Sequence, residues 1–216
     1  MFSDADGADR FRSEYMITRQ LLILVPVFGV LLQGCCTFQS EVKMPPADTR
    51  VDFADPVLNR RQVLLFGPID QQAAEHTVQE LLYLEGKSHD PIDLYLQTPG
   101  GEFKHSMAIE QVMRRLQSPV NTYALSECNS GGAMLLAAGT GKRRAFQGAV
   151  VILHGLKVSG KPPPELINQI QDSYTHFWRQ RARLPDSWLP MPRGILHVLS
   201  ADQALKYGIV DEVVEK

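Results

Sequence analysis

"SECNSGGAMLLAAG", residues 126–139, decides how this chain is read. It closes the segment "VNTYALS" (120–126), whose Val, Thr and Tyr residues predict a strand. It opens an uncharged run of small and apolar residues, Gly131–Ala138, that predicts a helix. Between the two, Asn129, Ser130, Gly131 and Gly132 must turn the chain. Ser130 has two readings at this point. A serine ahead of a helix is most often its N-cap. It can also be a nucleophile, with the N–H groups of the helix terminus beside it.

Working outward, the same alternation of elements recurs. "RQVLLFG" (61–67) predicts a strand and a turn, and "PIDLYLQ" (91–97) a second strand with Ile92, Leu94 and Leu96 alternating against Asp93 and Tyr95. "QQAAEHTVQELLYLEG" (71–86) sets Ala74, Val78, Leu81 and Leu82 at helical spacing, with Gly86 as its stop. "FKHSMAIEQVMRRLQSP" (103–119) predicts a helix that Pro119 closes. Downstream, "RRAFQGAVVILH" (143–154) reads as two short strands, the second ending at His154. An amphipathic helix is expected near 165–182, with Pro164 in its first turn and a stripe of Ile167, Ile170, Tyr174, Phe177 and Trp178. Ser200 and Gln203 form a capping box for a helix at 200–208, and 209–214 is a last strand. Strands alternating with helices argue an α/β fold with a largely parallel sheet.

In such sheets, ligands bind outside the carboxyl ends of the strands. Three features end strands here: "TPGG" (98–101), "ECNSGG" (127–132) and His154. Gly101 and Gly131 can offer N–H groups to a developing oxyanion, and His154 can take a proton from Ser130. The bland alternatives stand beside this reading: a cap for Ser130, a packed or solvated His154, and a plain turn at Gly100–Gly101.

The bulk properties exclude several classes. Net charge is −2, and the basic clusters Lys142–Arg144 and Arg179–Arg183 are short, so no nucleic-acid surface is expected. Cys35 and Cys36 are adjacent and Cys128 is distant, which gives neither a disulfide framework nor a metal-ligand spacing. No metal and no cofactor is expected.

The N-terminus reads as an address. Leu21–Leu32 is an apolar run that suits a signal-peptide core and is short for a membrane span. A start at Met16 would give "MITRQ" as a basic leader, in place of the acidic stretch before it. "LLQGC" (31–35) resembles a bacterial lipobox that ends at a lipidated Cys35, with Gln33 departing from the usual small residue. Residues 37–60 carry Pro45, Pro46 and Pro56 with no sustained period, which suits a tether. The expected organisation is a leader at 1–34, a tether at 35–60 and a domain at 61–216. Its location would be the cell envelope, on the periplasmic side, through a lipid anchor.

Residues 61–212 resemble the proteolytic subunit of the Clp protease (ClpP), a member of the crotonase-like ββα superhelix class. The blocks "FGPID" (66–70), "LYLQTPGGEF" (94–103), "SGGAMLLAAGTGKRR" (130–144), "VILHG" (151–155) and "LSADQALKYGIVDEV" (199–213) occur in the family's order, one residue short between Ser130 and His154. The resemblance implies that fold, with the 165–182 helix as its handle. It implies Ser130 as nucleophile, His154 as general base, and Gly101 and Gly131 as oxyanion donors. It also implies peptide or unfolded-protein substrates and a homo-oligomer. The family's triad aspartate falls on Leu196 here, and the stretch from His154 to Leu196 is shorter than the family's. Asp186, Asp202 and His197 are the residues that could compensate. The family works with a ring-shaped ATPase, which an exported protein would have to do without.

Two main functions follow as expectations. One is an exported, membrane-tethered serine peptidase working without ATP. The other is a catalytically degenerate binding or scaffold protein, motivated by Leu196. Two lesser readings accompany them. A Ser–Lys enzyme like the signal peptide peptidases finds no lysine between Thr175 and Asp186, only Lys157 and Lys161 nearer in sequence. An acyl-thioester enzyme would leave the Ser–His pair idle.

Overall fold

A computed structural model describes residues 51–157 and 161–215, all within the compact unit Met44–Lys216. The leader, Met16 and Cys35 lie outside the described residues. Among the described residues no helix is long and apolar enough to cross a membrane.

Seven strands are formed: β1 (Gln62–Phe66), β2 (Ile92–Thr98), β3 (Val120–Asn129), β4 (Arg143–Phe146), β5 (Val150–His154), β6 (Leu196–Ser200) and β7 (Glu212–Val214). Six α-helices join them: α1 (Pro56–Asn59), α2 (Gln71–Glu85), α3 (Phe103–Met113), α4 (Gly131–Ala138), α5 (Pro164–Arg181) and α6 (Ala201–Lys206). The sheet order is β1-β2-β3-β4-β7, every neighbour parallel. The α/β class with a parallel-rich sheet, expected from the alternation of elements, is the fold observed.

The strand β3 changes neighbour along its length. Thr122–Ala124 pair with Arg143–Ala145 of β4, and Glu127–Asn129 pair with Val150–Ile152 of β5. The strand β6 then runs antiparallel to β5. The sheet forks at β3, and the fork carries Ser130 and His154 on adjoining strand ends.

Local rules explain most elements. Ile92, Leu94 and Leu96 of β2 are fully buried while Asp93 and Tyr95 are half-buried, the period-2 pattern of a strand with one face in the core. Helix α2 begins where the Asp70 carboxylate accepts the Ala73 N–H at 2.9 Å. The capping box of α6 forms as read: the Gln203 N–H donates to Ser200 Oγ at 3.2 Å, and the Ser200 N–H to Gln203 Oε1 at 2.9 Å. Helix α4 is buried on all sides, as its uncharged sequence requires.

Three elements depart from the sequence reading. Helix α3 ends at Met113, short of Pro119, because the Glu85 carboxylate accepts the Gln117 and Ser118 N–H groups at 3.0 Å each. Those amides would otherwise extend the helix. The single turn α1, capped by Asp55, lies in the stretch read as tether, and its Leu58 is buried in the core. The strand β6 has no counterpart in the sequence reading. Leu196 and Val198 point outward, each 58 % exposed, and Leu199 points inward, so apolar residues on both faces hide the alternation.

Helix α5 is half anchored. Tyr174, Phe177 and Trp178 are buried at its C-terminal end, while Leu166 in the first turns is exposed.

Candidate active site

The turn after β3 sets the geometry. Ser130 has φ 54° and ψ −117°, a left-handed backbone that costs a non-glycine residue about 1–3 kcal/mol. Two bonds hold it there. Its N–H donates to Ile152 O of β5 at 2.8 Å, and its carbonyl accepts the Met134 N–H of α4 at 3.1 Å. The Ser130 hydroxyl makes no cap bond to α4. The cap reading therefore fails on geometry, and the side chain is left to line a cleft of about 360 Å³.

The Thr98–Gly101 turn forms the facing wall. The Gly100 N–H donates to Thr98 Oγ1 at 2.9 Å, and Gly100 sits at φ +89°. A Cβ at Gly100 would lie 2.7 Å from Ser130 Cβ, so this backbone is pressed directly onto the serine turn. Gly101 bridges Ile69 in parallel fashion. A Cβ at Gly131 would fall 3.7 Å from the Gly101 N, which puts the two glycine backbones side by side at the cleft. A second atom crowds that same point, the buried hydroxyl of Ser106 from α3, which has no hydrogen-bond partner.

His154 enters from the end of β5 and lines the same cleft. Its carbonyl accepts the Tyr174 hydroxyl at 2.8 Å. Tyr174 is itself fixed edge-on between Phe103 and Trp178, and burial pushes its phenol up to about 12. The ring Nδ1 meets the Gly155 carbonyl at 2.8 Å. A carbonyl oxygen only accepts, so Nδ1 carries the proton and Nε2 keeps its lone pair. That is the tautomer a general base needs.

The position opposite His154 is vacant of charge. The β5–β6 register pairs His154 directly with Leu196, and cross-strand partners share a face. None of the sequence candidates fills the gap. Asp186 begins a 3₁₀ turn (Asp186–Trp188), Asp202 lies in the first turn of α6, and neither bonds the imidazole. His197 pairs with Leu153 on the other face and stacks on Trp188 at 3.8 Å, its buried Nε2 without a partner. Burial lowers its basicity.

Ser130, His154, Gly101 and Gly131 thus all line one cleft, with Phe103, Met134 and Leu156 as apolar walls. Two further lining residues escaped the sequence reading. Tyr174 read only as part of a helical stripe, although helical spacing also brings it under β5. Lys157, named above only in the Ser–Lys alternative, lies on the cleft, while Lys161 does not line it. Cys128, two residues before Ser130, is fully buried, and desolvation pushes its thiol far up, so it is inert packing.

This arrangement was compared with known proteins. A family model described as Clp protease matches residues 46–176, a span that includes Ser130 and His154 and stops short of Leu196. An ATP-dependent Clp protease proteolytic subunit-like protein of Streptomyces coelicolor is 35% identical over 170 residues, covering 73% of this chain and 80% of that protein. An ATP-dependent Clp protease proteolytic subunit of Deinococcus radiodurans is 28% identical over 178 residues, covering 76% of this chain and 85% of that one.

Proposed function

The chain belongs to the Clp protease family, and from that premise we propose that it hydrolyses peptide bonds with Ser130 as nucleophile and His154 as general base. One observation carries the proposal. Ser130 is held in a strained backbone that frees its hydroxyl from capping and turns it into the cleft that His154 also lines.

The chemistry runs as acyl transfer. Nε2 of His154 takes the hydroxyl proton as Ser130 Oγ attacks the scissile carbonyl. The oxyanion that forms is met by the Gly101 and Gly131 N–H groups. The imidazolium returns its proton to the departing amine, and water repeats the sequence on the acyl-enzyme. The Gly155 carbonyl holds the tautomer through both halves. It carries no full charge, so imidazolium is stabilised less than by a carboxylate, and turnover is slow.

The finer reading places the enzyme outside the cytoplasm. The lipobox-like "LLQGC" supports lipidation of Cys35, a membrane tether on the periplasmic side and work without ATP, on peptides or unfolded chains. The half-exposed α5 supports a homo-oligomer that covers its first turns.

A fluorophosphonate probe tests the chemistry: the folded protein labels, and Ser130→Ala does not. No labelling of the folded wild type would remove the peptidase reading. Metabolic labelling with a fatty acid tests the tether, and label that persists in Cys35→Ala would remove it. Leu196 favours the second reading, a degenerate binding module. Under that reading, a cellular phenotype of the deletion is fully rescued by Ser130→Ala.

A further inference from the structure

The two basic clusters of the sequence, Lys142–Arg144 and Arg179–Arg183, are far apart along the chain and meet in the fold. At the start of β4, Arg143 donates from Nη1 to Arg181 O at the end of α5, at 2.9 Å, and to Gly208 O just past α6, at 3.0 Å. A cavity of about 460 Å³ opens at this junction and shares no lining residue with the candidate active site. Its ionisable lining is Arg143, Arg179, Arg181 and Arg183 against one carboxylate, Asp211.

That carboxylate is already taken. Asp211 accepts the Arg143 fork, Nε on Oδ2 at 3.1 Å and Nη2 on Oδ1 at 2.5 Å, together with the Arg143 backbone N–H at 3.0 Å. Arg181 is answered by Glu110 of α3 at 3.7 Å, a carboxylate that does not line the cavity. The carbonyl end of α5 carries about half a negative charge, and Arg143 already donates to it. Among the described residues, Arg179 and Arg183 have no ion pair and no side-chain hydrogen bond. They are the two charges left over. Arg183 is nonetheless held in place. Its backbone N–H donates to Tyr207 O at 2.6 Å. Its Nε would stand 3.1 Å from a Cβ added at Gly208, so the guanidinium lies across a glycine that leaves it room. Gly208 thus carries Arg183 over its α-carbon and Arg143 on its carbonyl, and two guanidinium forks border one space.

We propose that this cavity is a binding site for a phosphate group, held by Arg179 and Arg183 and bordered by Arg143. Planar guanidinium forks match the oxygens of a phosphate, and two unanswered charges match a dianion. The phosphate is either free, as inorganic phosphate or pyrophosphate, or the headgroup of an acidic lipid. A single cavity on a chain of net charge −2 makes no track for a nucleic-acid backbone. Arg179 and Arg183 are exposed, so the affinity is modest, with a dissociation constant of about 0.1–1 mM that rises with salt. The site does not depend on the peptidase reading.

The test titrates the whole protein with inorganic phosphate and with pyrophosphate at fixed ionic strength, followed by calorimetry. Cosedimentation with phosphatidylcholine vesicles, with and without phosphatidic acid, is the lipid arm. The expected result is saturable binding that weakens about tenfold in Arg179→Gln or in Arg183→Gln and is lost when both are changed. Arg183→Lys, which keeps the charge and loses the fork, falls between. Binding of the free anions alone names a soluble phosphate as the source, and sedimentation that requires phosphatidic acid names a lipid. Circular dichroism of the double variant shows that loss of binding is not loss of fold, since both side chains are exposed. Phosphate binding that is unchanged in the double variant overturns the inference and leaves the two arginines as complements to the end of α5. Absence of saturable binding in both arms overturns it too. So does an oligonucleotide that binds through the same arginines and is not displaced by phosphate.

Discussion

Replacing Leu196 with aspartate should raise activity. The residue faces His154 across the antiparallel β5–β6 ladder, where opposite side chains approach within about 5 Å. It is 58 % exposed, so the exchange costs the fold only about 1 kcal/mol in lost contact and strand preference. The gain is bounded from two sides. Disabling the aspartate of a serine-protease triad costs about 10⁴ in kcat, largely through the wrong imidazole tautomer. Here the Gly155 carbonyl already sets the tautomer, so that part cannot be gained again. What remains is the difference between a neutral hydrogen bond, about 0.5–1.5 kcal/mol, and one to a charged group, about 1.5–3 kcal/mol. That difference of about 1.4 kcal/mol is about tenfold in rate. The assay is kcat/KM on a fluorogenic peptide together with the second-order rate of fluorophosphonate inactivation. Leu196→Asn serves as the uncharged control. If Leu196→Asp gains no more than Leu196→Asn, or if its gain survives Ser130→Ala, the placement of this strand against the base is wrong.

Other perturbations read different parts of the structure. Gly131→Ala drives a methyl into the Ser106 hydroxyl and should cost about 1–3 kcal/mol in urea unfolding; Ser106→Ala in the same background should recover much of it, as a double-mutant cycle would register. Tyr174→Phe leaves the His154 carbonyl without its donor, and a loss of about 1–2 kcal/mol in stability should accompany a fall in kcat/KM. Burial, opposed by His76 and reinforced by Asp55, raises Glu80 from 4.5 to about 7. A raised carboxyl favours the fold while protonated, so stability falls as pH rises through that window, and Glu80→Gln should be the more stable protein at pH 8 with little difference at pH 4. Glu85 acts in the opposite sense. The Ser118 side chain foremost, then the Gln117 and Ser118 amides, hold it down to about 2. Its stabilisation is present above 4.5 and is lost as pH falls toward 2, a loss that Glu85→Gln should flatten in an acid titration followed by circular dichroism.

The legible parts of the sequence were those in which a residue's neighbours in sequence are also its partners in space. The alternation in β2 and the Ser200–Gln203 box lie within a few residues, and each formed. The illegible parts were settled from a distance. Glu85 stops α3 from more than thirty residues upstream. The extension of β3 from Ser126 to Asn129 is held by distant strands, β5 against Glu127–Asn129 and Thr98 of β2 against Cys128. The strand β6 hid because apolar residues stand on both its faces, Leu196 and Val198 outward and Leu199 inward. At the cleft, residue types alone named Ser130 and His154 as candidates but left cap and nucleophile as alternatives. The absence of a capping bond follows from one backbone angle, held by the Ile152 carbonyl, which no local pattern encodes.

The fork at β3 has a consequence for how this scaffold can diverge. Ser130 is tied by its own amide to Ile152, two positions before His154, so the proposed pair is indexed by peptide groups and not by packing. Remodelling the cleft walls leaves that index alone, as do length changes in the turn between α4 and β4. A single residue inserted between Ile152 and His154 would turn the imidazole to the opposite face of its strand with every side chain still present. If the proposed pair is the working one, the cleft walls are free to change, while the spacing from 152 to 154 is the count that descent must keep.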